Sequence, residues 1–320
     1  MNLKSSILIW IGCFSTAFFL LGCEEDNSHN TFSPTIPSVI YPNDNLPTPA
    51  RIELGKKLFF DPILSQSGTI SCGSCHKPAF AFADNVSKSM GENGLSLRNS
   101  PGLFNISSRS SYFMDGGALT LELAVISPIE DHTEMALNVL NASERLRQSE
   151  YYSKLSKQAY RRLPDPYVIS RALSAYIRSI TSHGSRYDRY LAGNKHALSK
   201  SEIDGMKLFF SKKTMCSSCH SGQNFTDDKF YNVGLYTDYF DLGKTRVTMQ
   251  PEDNGKFRTP SLRKLNKTQP YMHDGSMSLH QVLQHYNTGG FPHGNKDSRI
   301  KPLNLSEEEI NNLAAYLLSL

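Results

Sequence analysis

Two pentapeptides constrain this chain more than anything else in it: Cys72-Gly73-Ser74-Cys75-His76 and Cys216-Ser217-Ser218-Cys219-His220. Both read C-x-x-C-H. At that spacing one turn of chain brings two thiols within reach of the two vinyl groups of a single haem, and the next residue sets an imidazole against the iron. A chain that carries two such groups folds around two large apolar plates as well as around its own side chains. Two other chemistries use paired cysteines. A zinc site needs a second Cys or His pair at finger spacing, which neither motif has. A dithiol redox motif needs a βαβ surround, which the hydrophobic pattern does not supply. Of the six cysteines, Cys13 falls in the N-terminal leader and Cys23 directly after it, so the two motifs use all the others.

The leader itself points out of the cytoplasm, where haem attachment takes place. Lys4 precedes an apolar run from Ile7 to Leu21, which ends in Leu20-Leu21-Gly22-Cys23. Such a run is too short for a comfortable membrane span. A small residue and then Cys after it resembles a bacterial lipoprotein signal over residues 1–22, with Cys23 as the lipidated first residue of the mature chain. The competing reading is an uncleaved membrane anchor. Residues 23–46 are rich in Asn, Ser, Thr and Pro and read as a flexible tether. The predicted localisation is that of an exported, lipid-anchored membrane lipoprotein facing the periplasm. The formal net charge is only +4 over 320 residues, with no Lys/Arg block, so nucleic-acid binding has no support.

The mature chain repeats itself. Gly55-Lys56-Lys57-Leu58-Phe59-Phe60 precedes the first motif and Gly205-Met206-Lys207-Leu208-Phe209-Phe210 the second. Ala175-Tyr176-Ile177-Arg178-Ser179-Ile180 closes the first half and Ala315-Tyr316-Leu317-Leu318-Ser319-Leu320 the second. Each half therefore reads as helix, haem motif, long loop region, closing helix, a duplicated domain and not a short-repeat solenoid. Helical spacing of apolar residues runs over 49–60 and 165–182. Ser199 with Glu202, and Ser306 with Glu309, have the pattern of capping boxes at the starts of two more helices. Strand-like alternation is scarce, and the stretches between these helices read as Gly/Asn/Ser-rich loops. The division predicted is 47–190 and 191–320.

With these residues in view, the chain resembles the bacterial di-haem cytochrome c peroxidases and their MauG-type relatives. The resemblance covers nearly all of residues 50–320. It rests on Leu58-Phe59-Phe60-Asp61, Arg98-Asn99-Ser100-Pro101, Phe113-Met114-Asp115-Gly116, Pro128-Ile129-Glu130, Glu134-Met135, Phe257-Arg258-Thr259-Pro260-Ser261-Leu262-Arg263 and Pro270-Tyr271-Met272-His273-Asp274-Gly275, besides the two motifs. It implies a mainly α fold of two cytochrome c-like helical domains, each around one covalently bound haem c, the first peroxidatic and the second for electron transfer. The implied cofactor contacts are Cys72, Cys75 and His76 for the first haem and Cys216, Cys219 and His220 for the second. A calcium ion between the domains is also implied, on the Asn99 side chain and the carbonyls of Thr268 and Pro270. Taken alone, Asn99 before Ser-Pro reads equally as a turn residue.

The implied reaction reduces hydrogen peroxide to water with electrons from a small donor protein, a cytochrome c or a cupredoxin. The family often assembles as homodimers. By motif position Glu134 is the catalytic acid–base group, although a glutamate in a loop also suits plain solvation. His132 is a weaker candidate. Gly91 stands where many of these peroxidases have a His that covers the resting peroxidatic iron, so the first haem is expected to be open without prior reduction. Met114 stands where the family has a Trp between the haems, and Ala124 where a Gln often lies over the iron. The distal ligand of the second haem falls on Tyr286, with Met272, Met277, His280 and His285 as neighbours and a packed aromatic as the ordinary reading of Tyr286. Two alternatives to the peroxidase stay open at this point: a MauG-like oxidase acting on side chains of a partner protein, and a non-catalytic di-haem electron carrier.

Overall fold

The repeated glycines set the architecture. An ideal Cβ at Gly55 would lie 1.9 Å from the Ala172 carbonyl oxygen, and one at Gly205 would lie 1.9 Å from the Asn312 carbonyl oxygen. At both places the backbones of two helices touch, which only a residue without a Cβ permits. The computed structural model describes residues 38–320. The leader 1–22, Cys23 and the tether as far as residue 37 lie outside the described residues.

The helices are α1 (Pro49–Phe60), α2 (Cys72–Cys75), α3 (Leu121–Ala124), α4 (Ser127–Glu130), α5 (Val139–Gln148), α6 (Glu150–Tyr160), α7 (Pro166–Ser179), α8 (Arg186–Leu191), α9 (Lys200–Phe209), α10 (Thr245–Thr248), α11 (Leu279–Thr288) and α12 (Glu307–Leu317). Among the described residues strand is confined to two short antiparallel ladders. In one, β1 (Met90–Gly91) pairs with β2 (Gly94–Leu95), Gly91 opposite Gly94. In the other, β3 (Phe230–Tyr231) pairs with β4 (Phe257–Arg258), Phe230 opposite Arg258. Helix α1 crosses α7 at Gly55, and α9 crosses α12 at Gly205.

The two crossings are built alike. The Phe59 ring meets Tyr176 edge-on at 5.2 Å, and Phe209 meets Tyr316 edge-on at 5.4 Å. Phe59 and Phe60 are 5.0 Å apart, as are Phe209 and Phe210. Around them lie two separate hydrophobic clusters, one from Leu54 to Ile180 and one from Tyr187 to Leu320. Both capping boxes form: the Glu202 carboxylate accepts from the Ser199 N–H at 2.8 Å, and the Glu309 carboxylate from the Ser306 N–H at 2.9 Å.

Three readings of the sequence are corrected. The stretch taken as loop before α7 contains two regular helices, α5 and α6, capped by Asn138 and Ser149. The helix read over 165–182 ends at Ser179, because the chain turns extended at Ile180. The tether does not reach residue 46. A 3₁₀ turn at Asn43–Asn45 docks on the protein, and Asn45 is fully buried. Its Nδ2 donates to the Arg171 carbonyl and its Oδ1 accepts from the Tyr160 hydroxyl, so the amide has partners for both ends.

Candidate active site

Helix α2 is one turn long, and its last residue hands directly to His76. The His76 Nδ1 donates to the Phe82 carbonyl at 2.9 Å. In the second half a 3₁₀ turn at Cys216–Ser218 plays the same part, and the His220 Nδ1 donates to the Phe225 carbonyl at 3.0 Å. Each bond fixes the ring and its tautomer and leaves Nε2 as the lone-pair nitrogen, the usual outer support of a metal-binding His. Burial holds both imidazoles below their ordinary pKa, hence neutral. Both acceptor residues adopt left-handed backbone, φ +58° at Phe82 and +52° at Phe225. That conformation costs a bulky residue of order 1–3 kcal/mol, and here it aims the carbonyl at the imidazole. Sequence reasoning missed both phenylalanines; the signal available was a Phe a few residues after each motif.

The four motif cysteines form no disulfide. Burial pushes the Cys72 thiol up to about 12 and raises the other three. These are protonated thiols in apolar surroundings, unlike the low-pKa thiolates of dithiol redox sites. Among the described residues, no cluster of three or more His, Cys, Asp or Glu side chains is placed to hold a metal ion. The donor set therefore fits haem and not zinc: one neutral His and two thiols on each motif, facing a large apolar space.

That space is a cavity of about 960 Å³, with both motifs on its wall, at the top of the roughly 300–1,000 Å³ range of ligand sites. Loops of the two halves are locked together beside it. Arg98 donates bidentately to Asp241, at 2.5 and 2.8 Å, and to Asp115 at 2.8 Å. Arg258 donates to Ser111 and to the Phe113 carbonyl, and its backbone N–H donates to Met114. Met114, Gly91 and Ala124 all lie on the cavity wall.

Glu134 is on the same wall. Its loop is held from two sides. The Asp131 carboxylate accepts from the N–H and hydroxyl of Thr133, at 2.8 and 2.6 Å, and from the Glu134 N–H at 3.2 Å. From the other side the Glu92 N–H donates to the Glu134 carbonyl at 2.8 Å. Gly91 presses flat against this loop: a Cβ there would lie 2.0 Å from the Thr133 oxygen and 2.7 Å from the Glu134 oxygen. Glu134 keeps much accessible surface, but that surface faces the cavity. Enclosure by the wall, and then the Asp131 charge, pushes its carboxyl up to about 6. His132 is exposed and off the wall, its carbonyl held by Asn93. Asp131 and the steric role of Gly91 were not visible in the sequence.

Of the five candidates near the second motif, Tyr286 and Met272 line the cavity; Met277, His280 and His285 do not. His285 is turned the other way, its Nε2 bonded to the Val233 carbonyl at 3.0 Å. Burial raises the Tyr286 phenol, with the nearby Cys216 and Cys219 next in effect. Asn99, Thr268 and Pro270 are all on the cavity wall. The Asn99 Nδ2 donates to the carbonyls of Val86 and Ser87, at 3.0 and 3.2 Å.

Comparison with known proteins agrees with this geometry. The family described as di-haem cytochrome c peroxidase matches residues 49–196. The chain is 35% identical to the methylamine utilization protein MauG of Methylorubrum extorquens, over 88% of this chain and 80% of that protein. It is 33% identical to the cytochrome-c peroxidase IdrP1 of Pseudomonas sp. strain SCT, over 93% and 88%. Among solved structures, a MauG-like protein associated with microbial copper homeostasis superposes with a TM-score of 0.83 at 31% identity, covering 89% of this chain and 93% of the other. Two matched C-x-x-C-H motifs on one cavity, in a mainly helical frame shared along most of these relatives, place the chain in the di-haem cytochrome c peroxidase family.

Proposed function

We propose that the protein reduces hydrogen peroxide to two waters, taking two electrons from a small redox protein and two protons from its surroundings. The observation that carries this reading is Glu134, held rigidly on the cavity wall near the first motif with its pKa close to neutral. Haem c, held through Cys72, Cys75 and His76 and again through Cys216, Cys219 and His220, supplies the redox chemistry. The chain supplies placement and proton movement. Gly91 and Ala124 present no ligating atom, so the peroxide side of the first site stays open in the oxidised protein. Glu134 takes a proton from one peroxide oxygen and returns it to the oxygen that leaves as water. His220 and Tyr286, both on the cavity wall, would be the residues that hold the second haem's iron. Asn99, Thr268 and Pro270 supply the oxygen ligands that suit calcium. The division at 47–190 and 191–320 assigns one haem to each half. Lipidation at Cys23 would keep the protein on a membrane outside the cytoplasm; among the described residues no helix is long and apolar enough to cross one.

Tyr286 on the wall favours one further reading, a MauG-like oxidation of side chains in a partner protein. A phenolate ligand stabilises ferric over ferrous iron and suits stored oxidising equivalents. The discriminating experiment follows peroxide loss with a reduced cytochrome c or cupredoxin as donor, and in parallel looks for peroxide-dependent cross-links in candidate partner proteins. Steady donor oxidation, two per peroxide, supports the peroxidase. Cross-linking without donor turnover supports the oxidase.

A further inference from the structure

Oxidising equivalents made in a cavity need a way out, and the chain has no tryptophan beyond Trp10 to provide one. Met114 lies on the cavity wall, and a continuous set of rings starts from the same wall. Phe257 and His273 are stacked, 3.8 Å apart and 13° from parallel. Tyr239 lies against both, at 6.2 and 6.4 Å, and all three line the cavity. Tyr236 packs edge-on against Tyr239 at 5.7 Å and against His273 at 6.3 Å, and it reaches the surface. One ring thus separates the cavity wall from solvent.

The hydrogen bonds decide where an electron vacancy would come to rest. A phenol gives up an electron easily only if its proton has somewhere to go. The Tyr239 hydroxyl donates to the neutral amide oxygen of Asn232 at 2.9 Å, which is no base. The Tyr236 hydroxyl donates to the Asp274 carboxylate at 2.5 Å, which is one. Two other phenols also donate to carboxylates. Tyr152, bonded to Asp61, is not on the cavity wall. Tyr231, bonded to Asp227, is on the wall but lies under the Arg299 guanidinium, 4.5 Å from the ring centre, and that positive charge opposes loss of an electron.

We infer that Tyr239 and Tyr236 form a one-electron relay from the cavity to the protein surface, with Tyr236 as its terminus and Asp274 as its proton acceptor. The inference rests on the peroxidase reading, since peroxide supplies the oxidant. In each passage Tyr236 loses one electron toward the cavity and passes its hydroxyl proton to Asp274. An external one-electron donor then reduces the neutral phenoxyl, and the proton returns from Asp274. Tyr239, whose proton has no base to go to, is not itself oxidised; its ring bridges Tyr236 and the cavity wall.

The test uses the full chain with both haems. Peroxide is added without reductant in the presence of a nitroso spin trap, adducts are located by peptide mass spectrometry, and peroxide loss is followed in the same samples. Solvent exposure alone would label Tyr151 and Tyr167, 52% and 40% exposed, ahead of Tyr236 at 36%. The relay predicts the opposite order: the adduct sits on Tyr236, is lost in Tyr236→Phe, and is reduced in Tyr239→Leu, which removes the bridging ring, with haem spectra unchanged. Labelling that follows exposure, or that is undiminished in Tyr239→Leu, overturns the relay. Peroxide consumed without an adduct on Tyr236 overturns the relay alone. If peroxide is not consumed, the peroxidase reading falls and the relay with it.

Discussion

Gly91→Ala is the smallest change that reaches the proposed proton-transfer machinery without touching it. The new Cβ would lie 2.0 Å from the Thr133 carbonyl oxygen, against an ordinary contact of 3.4 Å or more, so something must move by about 1.4 Å. The obstacle is backbone, so no side-chain rotation relieves it. Either β1 pulls away and gives up the bond from the Glu92 N–H to the Glu134 carbonyl, or the loop 131–134 is pushed back with Glu134 on it. Overpacking of this kind costs roughly 1–3 kcal/mol of stability. A displacement of about 1 Å at a group that must meet a small substrate costs on the order of 10²-fold in rate. The assay is steady-state peroxide reduction with a reduced donor, beside thermal melting and the visible spectra of both haems. We expect both haems to stay in place and kcat to fall by about two orders of magnitude. Gly91→His should behave in the same way or worse, because on this backbone no side chain at position 91 has room to cover the first site. Wild-type kcat in Gly91→Ala would refute the view that this contact holds Glu134 in place.

Glu134→Gln should keep both haem spectra and lose roughly 10²–10⁴-fold in peroxidase activity; near-normal turnover would reject the role. Because the Glu134 carboxyl is raised to about 6 and acts as its base form, kcat should be on its plateau at pH 7 and fall as pH drops through 6. Asp131→Asn keeps an oxygen for the Thr133 and Glu134 N–H groups but removes the charge, so that limb should move to lower pH. Tyr286→Phe should change the EPR signal of the second haem and raise its reduction potential; an unchanged signal would leave Met272 as the candidate on the wall. Gly205→Ala drives a Cβ to within 1.9 Å of the Asn312 oxygen and should cost about 1–3 kcal/mol in denaturant unfolding; a neutral result would contradict the close crossing of α9 and α12.

The duplicated frame was legible because it leaves marks on the chain. A glycine, two phenylalanines and a closing tyrosine recur in each half, and the helices between them carry apolar residues at helical spacing. What was hidden is why the glycine recurs, since the contact that demands it lies more than a hundred residues away, at Ala172 for Gly55 and at Asn312 for Gly205. Helices α5 and α6 were passed over as loop because the signals of Asn138 and Ser149 as caps were not weighed beside so many other polar residues. The motif cysteines and histidines can be read from spacing alone. The groups that orient them cannot. Phe82 and Phe225 act through their carbonyls and an unfavourable backbone conformation, so the Phe that follows each motif marks the place without showing the role. His285 and Tyr286 are neighbours on one helix, about 100° apart around its axis. Motif position favours Tyr286, and the structure adds what the sequence could not show: the His285 Nε2 is bonded to the Val233 carbonyl, far away in sequence.

The central claim is that each half of the chain holds one covalently attached haem c. The most direct measurement is the pyridine haemochrome of the denatured, reduced protein, scaled to protein concentration and checked by intact mass. We predict two haems per chain, and half that value in the double variant Cys216→Ser, Cys219→Ser, with the remaining haem on the peptide that contains Cys72 and Cys75. A colourless protein that binds zinc, or a wild-type chain with a single haem, would contradict it.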